Sequence, residues 1–421
     1  MTGPGRPGDI AVTGLGLVTP AGTGTAGTWA GVCEGSGTAA ADPALAGLPV
    51  ALSCRVPGFD PRTHVPGPRP WRHDRFTQFA LAAAHEAVAD AGLDPTSWDG
   101  TRVAVVLGSA AGGVDTYEDQ FRKLLDSGPR SVSPLTLPAF LPNMAAGALA
   151  IALRANGAVL HTATACASGA TAVALAALLL DAGACDIAVA GGADAMITPL
   201  CATAFAKMGA LSRRRHSPAA ASRPFDAARD GFVLAEGAGV LVLERDTDAA
   251  ARRAPVHAVL AGYGVSADAH HPVAPDPAGR GLRRAMEQAL RTAGADPGDV
   301  GHINAHGTST PLNDRTEAAV LHRMFGAGAP SVTAVKGVTG HTMGAAGAIE
   351  AALTVLTVEH RLVPPTANFQ RPEPDAEPMN LVTGTAHAQE IPLALSNSAG
   401  FGGHNTVLAF RPAAAPRPTE G

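Results

Sequence analysis

Charged and aromatic side chains are scarce in this chain. Only 16% of its residues are Asp, Glu, Lys or Arg and only 4% are Phe, Trp or Tyr, whereas 46% are hydrophobic. That balance excludes a disordered chain and a coiled coil, both of which need far more charge. The interior has to be built from Ala, Val and Leu, with glycine at the closest contacts. Lysine is rarer still, occurring only at Lys123, Lys207 and Lys336, so a lysine inside a motif stands out. A net charge of −5 and a pI near 6.3 leave no basic footprint for a nucleic acid.

Long apolar runs are missing too. Gly, Thr or Asp interrupts each one before it reaches bilayer length, so no membrane span is expected. Residues 1–8 are rich in Gly and Pro and lack the basic-then-apolar order of an export signal. The cysteines, Cys33, Cys54, Cys166, Cys185 and Cys201, are odd in number, without CxxC spacing or a matching histidine cluster. Neither a disulfide framework nor a metal site follows, and a cytoplasmic setting is expected.

What is present is an alternation of β-rich and helical stretches. Strand-like runs at 10–13, 103–107, 159–162, 187–190 and 240–243 are separated by Ala/Leu-rich helical stretches such as 79–91 and 169–182. This predicts an α/β fold with a largely buried sheet. After residue 254 the pattern restarts. Residues 256–265 resemble 10–18, and a small-residue turn leads into an Ala-rich helix twice, at 165–180 and 341–356. Two halves, 9–250 and 255–411, read as one duplicated unit between loose ends at 1–8 and 412–421. Ala-rich composition alone is the competing explanation. Within the first half, the prolines of 115–156 predict an extended, irregular course leading into an apolar helical stretch at 144–153, suited to a pocket wall or subunit contact.

Chemistry concentrates in four motifs. In Thr162-Ala163-Thr164-Ala165-Cys166-Ala167-Ser168-Gly169, a β-rich run turns into an Ala/Leu helix and places Cys166 at the helix N-terminus. The helix dipole there favours a reactive thiolate, although an inert buried thiol fits the spacing as well. Asn304-Ala305-His306-Gly307-Thr308-Ser309-Thr310-Pro311 sets an imidazole at a strand end, and Lys336-Gly337-Val338-Thr339-Gly340-His341 precedes the second Ala-rich helix. Either histidine alone also suits an ordinary core position. The glycine-rich Ser396–Asn405 stretch carries a lone Phe401 and no following Lys-Ser/Thr, which points to an oxyanion-forming or gating loop rather than a phosphate loop.

Together these motifs resemble the β-ketoacyl-acyl-carrier-protein synthases of the thiolase superfamily, most of all the type II elongating enzymes. Ala221-Ser222-Arg223-Pro224-Phe225-Asp226 and Arg229-Asp230-Gly231-Phe232-Val233 are similar to that family's signature between its halves. The resemblance implies a thiolase fold: duplicated βαβαβαββ halves in a five-layered αβαβα arrangement. It implies that Cys166 accepts the acyl chain and that His306 and His341 act on a malonyl-carrier-protein donor. It implies that Lys336 is the active-site lysine, held by Asp314 and Glu317, and that the Cys166 and Phe401 N–H groups form the oxyanion hole. Phe401 would also be the gate, Phe232 would line the chamber, and Thr308 and Thr310 would bind the phosphopantetheine arm. No metal or redox cofactor is implied, since substrates ride on phosphopantetheine of acyl-carrier protein.

Three positions depart from the family pattern by lacking bulk. Ala111 stands where Ile is common, Leu135-Thr136 replaces a Phe-Phe pair that reaches the pocket across a dimer interface, and Ala399 replaces a Phe before the Gly-Phe-Gly-Gly loop. A wider acyl channel follows, unless neighbours refill the space. The expected activity is decarboxylative condensation of an acyl thioester with malonyl-acyl-carrier protein in a specialised type II polyketide or polyene pathway. Primary fatty-acid elongation is the alternative. The expected partners are acyl-carrier protein and either a second copy or a chain-length-factor-like subunit, the latter making this chain the catalytic half of a heterodimer. A catalytically silent subunit is disfavoured by the presence of Cys166, His306 and His341.

Overall fold

A computed structural model describes residues 9–67, 69–326, 330–373 and 378–413. Of the loose ends expected at 1–8 and 412–421, residues 1–8 and 414–421 lie outside the described residues, while Pro412 belongs to the last strand.

Ten strands form one continuous path: β1 (Ile10–Thr19), β2 (Val103–Gly108), β3 (Val159–Thr162), β4 (Ile187–Ala195), β5 (Glu236–Arg245), β6 (Ala258–Ala267), β7 (His302–Asn304), β8 (Ser331–Thr333), β9 (Ala394–Gly400) and β10 (His404–Pro412). Their spatial order is β8-β7-β9-β10-β6-β1-β5-β4-β2-β3. Read outward from the centre, β1-β5-β4-β2-β3 and β6-β10-β9-β7-β8 are the same order. The strand senses match as well, with two antiparallel pairings followed by two parallel ones on each side. Among the described residues, the two sets hydrogen-bond to each other through a short antiparallel pairing of Ile10–Val12 with Ala258–Leu260.

The main helices are α1 (Arg75–Asp90), α2 (Val114–Ser127), α3 (Asn143–Ala152), α4 (Ser168–Asp181), α5 (Arg280–Ala293), α6 (Pro311–Phe325) and α7 (Ala346–His360). Three buried apolar clusters show how they stack. One packs α1 and α3 on the outer face of the first strand set, a second packs α5 and α6 on the outer face of the other, and the largest encloses α4 and α7 between the sets. The result is the αβαβα layering. Alanine dominates α4 and α7 because both are sandwiched, leaving no room for bulk on either side.

Repetition extends to the turns that open the central helices. Ala165-Cys166-Ala167 and Met343-Gly344-Ala345 each form a 3₁₀ turn running into the helix, and Ala165 and Met343 have the left-handed φ values 49° and 53°. Contacts between the helices are reciprocal: a Cβ on Gly169 would stand 2.8 Å from Ala348, and one on Gly347 the same distance from Ala170.

The helical stretch expected at 144–153 is α3, but in place of the extended course before it the chain forms α2 and the short helix Thr136–Phe140. The prolines sit between helices or in a first turn, where a missing N–H is harmless. This region exposes Tyr117, Phe121, Leu125, Leu137 and Ile151, beside the edge strand β3.

Candidate active site

The nucleophile turn is tied down by its own polar groups. Ser168 Oγ accepts from the Thr164 N–H at 2.9 Å and donates to the Ala165 carbonyl at 2.7 Å, fixing the strained Ala165 ahead of Cys166. Cys166 is only 4% exposed. Burial pushes its thiol up to about 12, against the pull of Lys336 and a hydrogen bond from the Phe401 backbone N–H. Of the two states left open by the sequence, dehydration favours the thiol, acting against the helix terminus that favours the thiolate.

Both histidines are held through their main chains. The N–H groups of His306 and Gly307 donate to the Glu317 carboxylate at 2.8 and 2.9 Å. The N–H of His341 donates to Val233 O at 2.8 Å, and its carbonyl accepts from Ala235 N at 3.0 Å. The rings lie 5.7 Å apart and nearly perpendicular, at 84°. Burial first, then the charge of Lys336, holds both imidazoles well below their ordinary range. At neutral pH each is uncharged, with one N–H to donate and one nitrogen to accept.

Lys336 donates to the His306 carbonyl at 2.7 Å and forms a buried ion pair with Glu350 on α7. Neither Asp314 nor Glu317 is its direct partner, which corrects the expected arrangement. Asp314 instead accepts N–H groups from Phe225 and Ser309, residues at φ 64° and 70°, with Arg229 at 3.6 Å. It stabilises strained backbone, while Glu317 fixes His306 and also accepts from Asn397 at 3.1 Å. Glu350 was not anticipated. Its one signal in the sequence is that it alone carries charge in the apolar run 343–358, so a buried lysine had an obvious counterion there.

Cys166, His306, His341, Phe232 and Phe401 all line one cavity of about 370 Å³, as do Thr308, Thr310, Glu317 and Ala399. Thr308 and Thr310 share a hydroxyl hydrogen bond of 2.9 Å. Gly400 presses against the nucleophile turn. A Cβ there would fall 2.5 Å from Thr164 O and 3.1 Å from Cys166 N, so only glycine allows the loop to lie so close. Phe205, also unanticipated, packs edge-on against Phe232 at 5.4 Å and contacts Phe401 at 6.4 Å, while Phe232 meets His341 at 5.2 Å. These rings connect the loop carrying Phe401 to the histidine pair.

The low-bulk positions divide. Ala399 lines the cavity and Ala111 packs on the apolar cluster that contains Cys166. Leu135 and Thr136 lie elsewhere, at a surface pocket with Trp71, Asp74, Thr116 and Gln120. Within this chain the fold does not bring them to Cys166. Among the described residues no cluster of His, Cys, Asp and Glu is placed to hold a metal ion, and no helix is long and apolar enough to cross a membrane.

Comparison with known proteins agrees with this architecture. The ishigamide ketosynthase/chain length factor superposes with a TM-score of 0.91 at 33% identity, covering 96% of this chain and 99% of that one. A type II polyketide synthase ketosynthase bound to a hexaketide, in complex with its acyl-carrier protein, superposes with a TM-score of 0.90 at 31% identity, covering 97% and 100%. The protein is thus a thiolase-fold ketosynthase in architecture. The "Beta-ketoacyl synthase, N-terminal domain" model matches residues 8–249 and the "Beta-ketoacyl synthase, C-terminal domain" model matches 257–370. A 3-oxoacyl-[acyl-carrier-protein] synthase 2 from Synechocystis sp. is 41% identical over 408 residues, 96% of this chain and 97% of the relative. The chain belongs to the β-ketoacyl synthase family and is an acyl-transferring enzyme of the β-ketoacyl-acyl-carrier-protein synthase type.

Proposed function

We propose that this chain catalyses decarboxylative condensation of an acyl thioester with malonyl-acyl-carrier protein. One observation carries the assignment of roles: a cysteine thiol and two uncharged, buried imidazoles face the same cavity. The Cys166 sulfur takes the acyl group, and its proton ends on the pantetheine thiol that departs. With malonyl-carrier protein bound, the bond to the carboxyl carbon breaks and carbon dioxide leaves. N–H groups of His306 and His341 donate to the enolate oxygen. The enolate carbon then attacks the Cys166 thioester, whose oxyanion the backbone N–H groups of Cys166 and Phe401 stabilise, and the sulfur leaves as the 3-oxoacyl chain forms.

Lys336 and Glu317 position His306, Thr308 and Thr310 offer hydroxyls to the phosphopantetheine arm, and Phe232 and Phe401 wall and gate the chamber. The working units are the halves 9–250 and 255–411. The protein acts in the cytoplasm without a metal or redox cofactor. Its partners are acyl-carrier protein and a second ketosynthase-like chain, either another copy or a chain-length-factor-like subunit. Support for that second chain comes from the apolar residues exposed on α2 and around α3 beside β3, an edge strand with Val159 40% and Leu160 37% exposed.

Absent bulk at Ala111 and Ala399 favours a long or functionalised acyl chain of a specialised type II polyketide or polyene pathway. Primary elongation is kept as the second reading because the Synechocystis relative is named as a 3-oxoacyl-[acyl-carrier-protein] synthase 2. Malonyl-carrier-protein decarboxylation tests the division of roles. Cys166→Ala should keep decarboxylating while losing condensation, and His306→Ala or His341→Ala should lose about 10²–10³-fold in decarboxylation. Undiminished decarboxylation in both histidine variants would refute the assignment.

A further inference from the structure

A buried carboxylate whose charge acts on Cys166 is not used by the reaction above. Asp194, at the end of β4, is fully buried, and among the described residues it forms no ion pair with a Lys, Arg or His. Its oxygens accept from Ser109 Oγ at 2.6 Å, from Ala110 N–H at 2.9 Å and from Gly344 N–H at 2.6 Å. Ser109 Oγ in turn accepts from Gly112 N–H at 2.8 Å.

One side chain therefore ties together two turns of different halves. The first, 109–112, carries Ala111 on the acyl side of Cys166. The second follows His341, contains the strained Met343 and opens α7. That second turn is the counterpart of the nucleophile turn, with Gly344 standing where Cys166 stands in the other. At one helix N-terminus the chain places a thiol, and at the matching one it places an internal anion.

We propose that Asp194 is a positioning residue for the condensation: it locks the turn bearing Ala111 to the turn after His341, and its negative charge tunes the reactivity of Cys166. The inference rests on Cys166 being the acyl acceptor. The ionised groups acting on that sulfur are Lys336, which favours the thiolate, and Asp194 and Glu350, which oppose it. His306 and His341 are uncharged neighbours. Burial is the first reason that the sulfur stays protonated, and Asp194 adds to it by offsetting Lys336.

Charge and geometry are separable by substitution. In Asp194→Asn, a flipped amide keeps its oxygen on the Ala110 and Gly344 N–H groups and turns its NH₂ to Ser109 Oγ, so the links persist without the charge. Ser109→Ala removes a link and keeps the charge. The experiment follows the rate of iodoacetamide modification of Cys166 by mass spectrometry at fixed pH values from 7 to 10, below the thiol's own midpoint, beside condensation kinetics.

For Asp194→Asn the alkylation rate at each pH should rise about tenfold. For Ser109→Ala that rate should stay in place while kcat falls about tenfold, with KM for the carrier substrates little changed. A change confined to folding would lower yield and Tm without raising the alkylation rate of the folded protein. An unchanged rate in Asp194→Asn overturns the charge role, and an unchanged kcat in Ser109→Ala overturns the positioning role, including when Asp194→Asn fails to fold. Failure of the unaltered protein to take an acyl group from any carrier would sink the condensation reading but leave the alkylation result interpretable.

Discussion

Lys336 reaches the main-chain carbonyl of His306 at 2.7 Å but the ring Nδ1 only at 3.4 Å. Its grip is on the backbone that aims the imidazole, with Glu350 as counterion. Removing one partner of such a pair leaves a charge buried alone, which typically costs about 3–5 kcal/mol. Lys336→Ala should therefore unfold at markedly lower urea and lose decarboxylation. Lys336→Met combined with Glu350→Leu should recover most of the stability and none of the activity. A double variant as unstable as the single one would show that the loss comes from packing instead.

Phe401 supplies a backbone N–H to the Cys166 sulfur and a ring that contacts Phe205. Phe401→Ala keeps the N–H and removes the ring. Cys166 should then be alkylated several-fold faster at fixed pH, because the thiol is less well covered. Slower alkylation would contradict a covering role for the ring.

His257 couples the ends of three elements. Its Nε2 contacts Asp90 at 2.8 Å and its Nδ1 contacts Glu359 at 3.0 Å. Burial works against the charged form, but hydrogen bonds to Asp90 and Glu359 outweigh it and raise His257 to about 9. A raised folded value means that the stabilisation is fully present below the ordinary histidine range and is lost as pH rises through about 9. Chemical denaturation at pH 6.5 and pH 9.5 should show a decline of about 1 kcal/mol attributable to this residue, allowing for solvent screening. His257→Gln should remove that decline, and a decline equal in both proteins would exclude His257 as its source.

Ala111 packs on the apolar cluster around Cys166. Refilling the position should shorten what the channel accepts. With a series of acyl-carrier-protein substrates, Ala111→Phe should reduce the longest chain loaded and leave short chains unaffected. A preference of the unaltered protein for short saturated chains, with no gain for long or polyene ones, would remove the case for a specialised substrate.

Much of this arrangement was legible in the residues. The repeated small-residue turn before an Ala-rich helix corresponds to two 3₁₀-to-helix turns, each with a left-handed residue. The motifs carrying Cys166, His306, His341 and Phe401 converge because strand ends deliver them to one side of the layered core. What was hidden depends on distance in the fold. Glu350 partners Lys336 only because α7 packs behind it, whereas Asp314 and Glu317, which the resemblance assigned to that lysine, accept backbone N–H groups of Phe225 and Ser309 and of His306 and Gly307. The thiol's resting state follows from dehydration, which a linear motif does not display. Residues 115–156 form helices despite their prolines because those prolines fall where no helical hydrogen bond is lost.

The central claim is that Cys166 carries the growing chain, and intact-protein and peptide mass spectrometry after incubation with acyl-carrier-protein thioesters tests it most directly. The expected result is an acyl mass increment on the peptide containing Cys166, discharged by malonyl-carrier protein and absent in Cys166→Ala. With acyl-carrier protein and a ketosynthase-like partner chain both supplied, a protein that never acquires that increment, or acquires it equally in Cys166→Ala, contradicts the account.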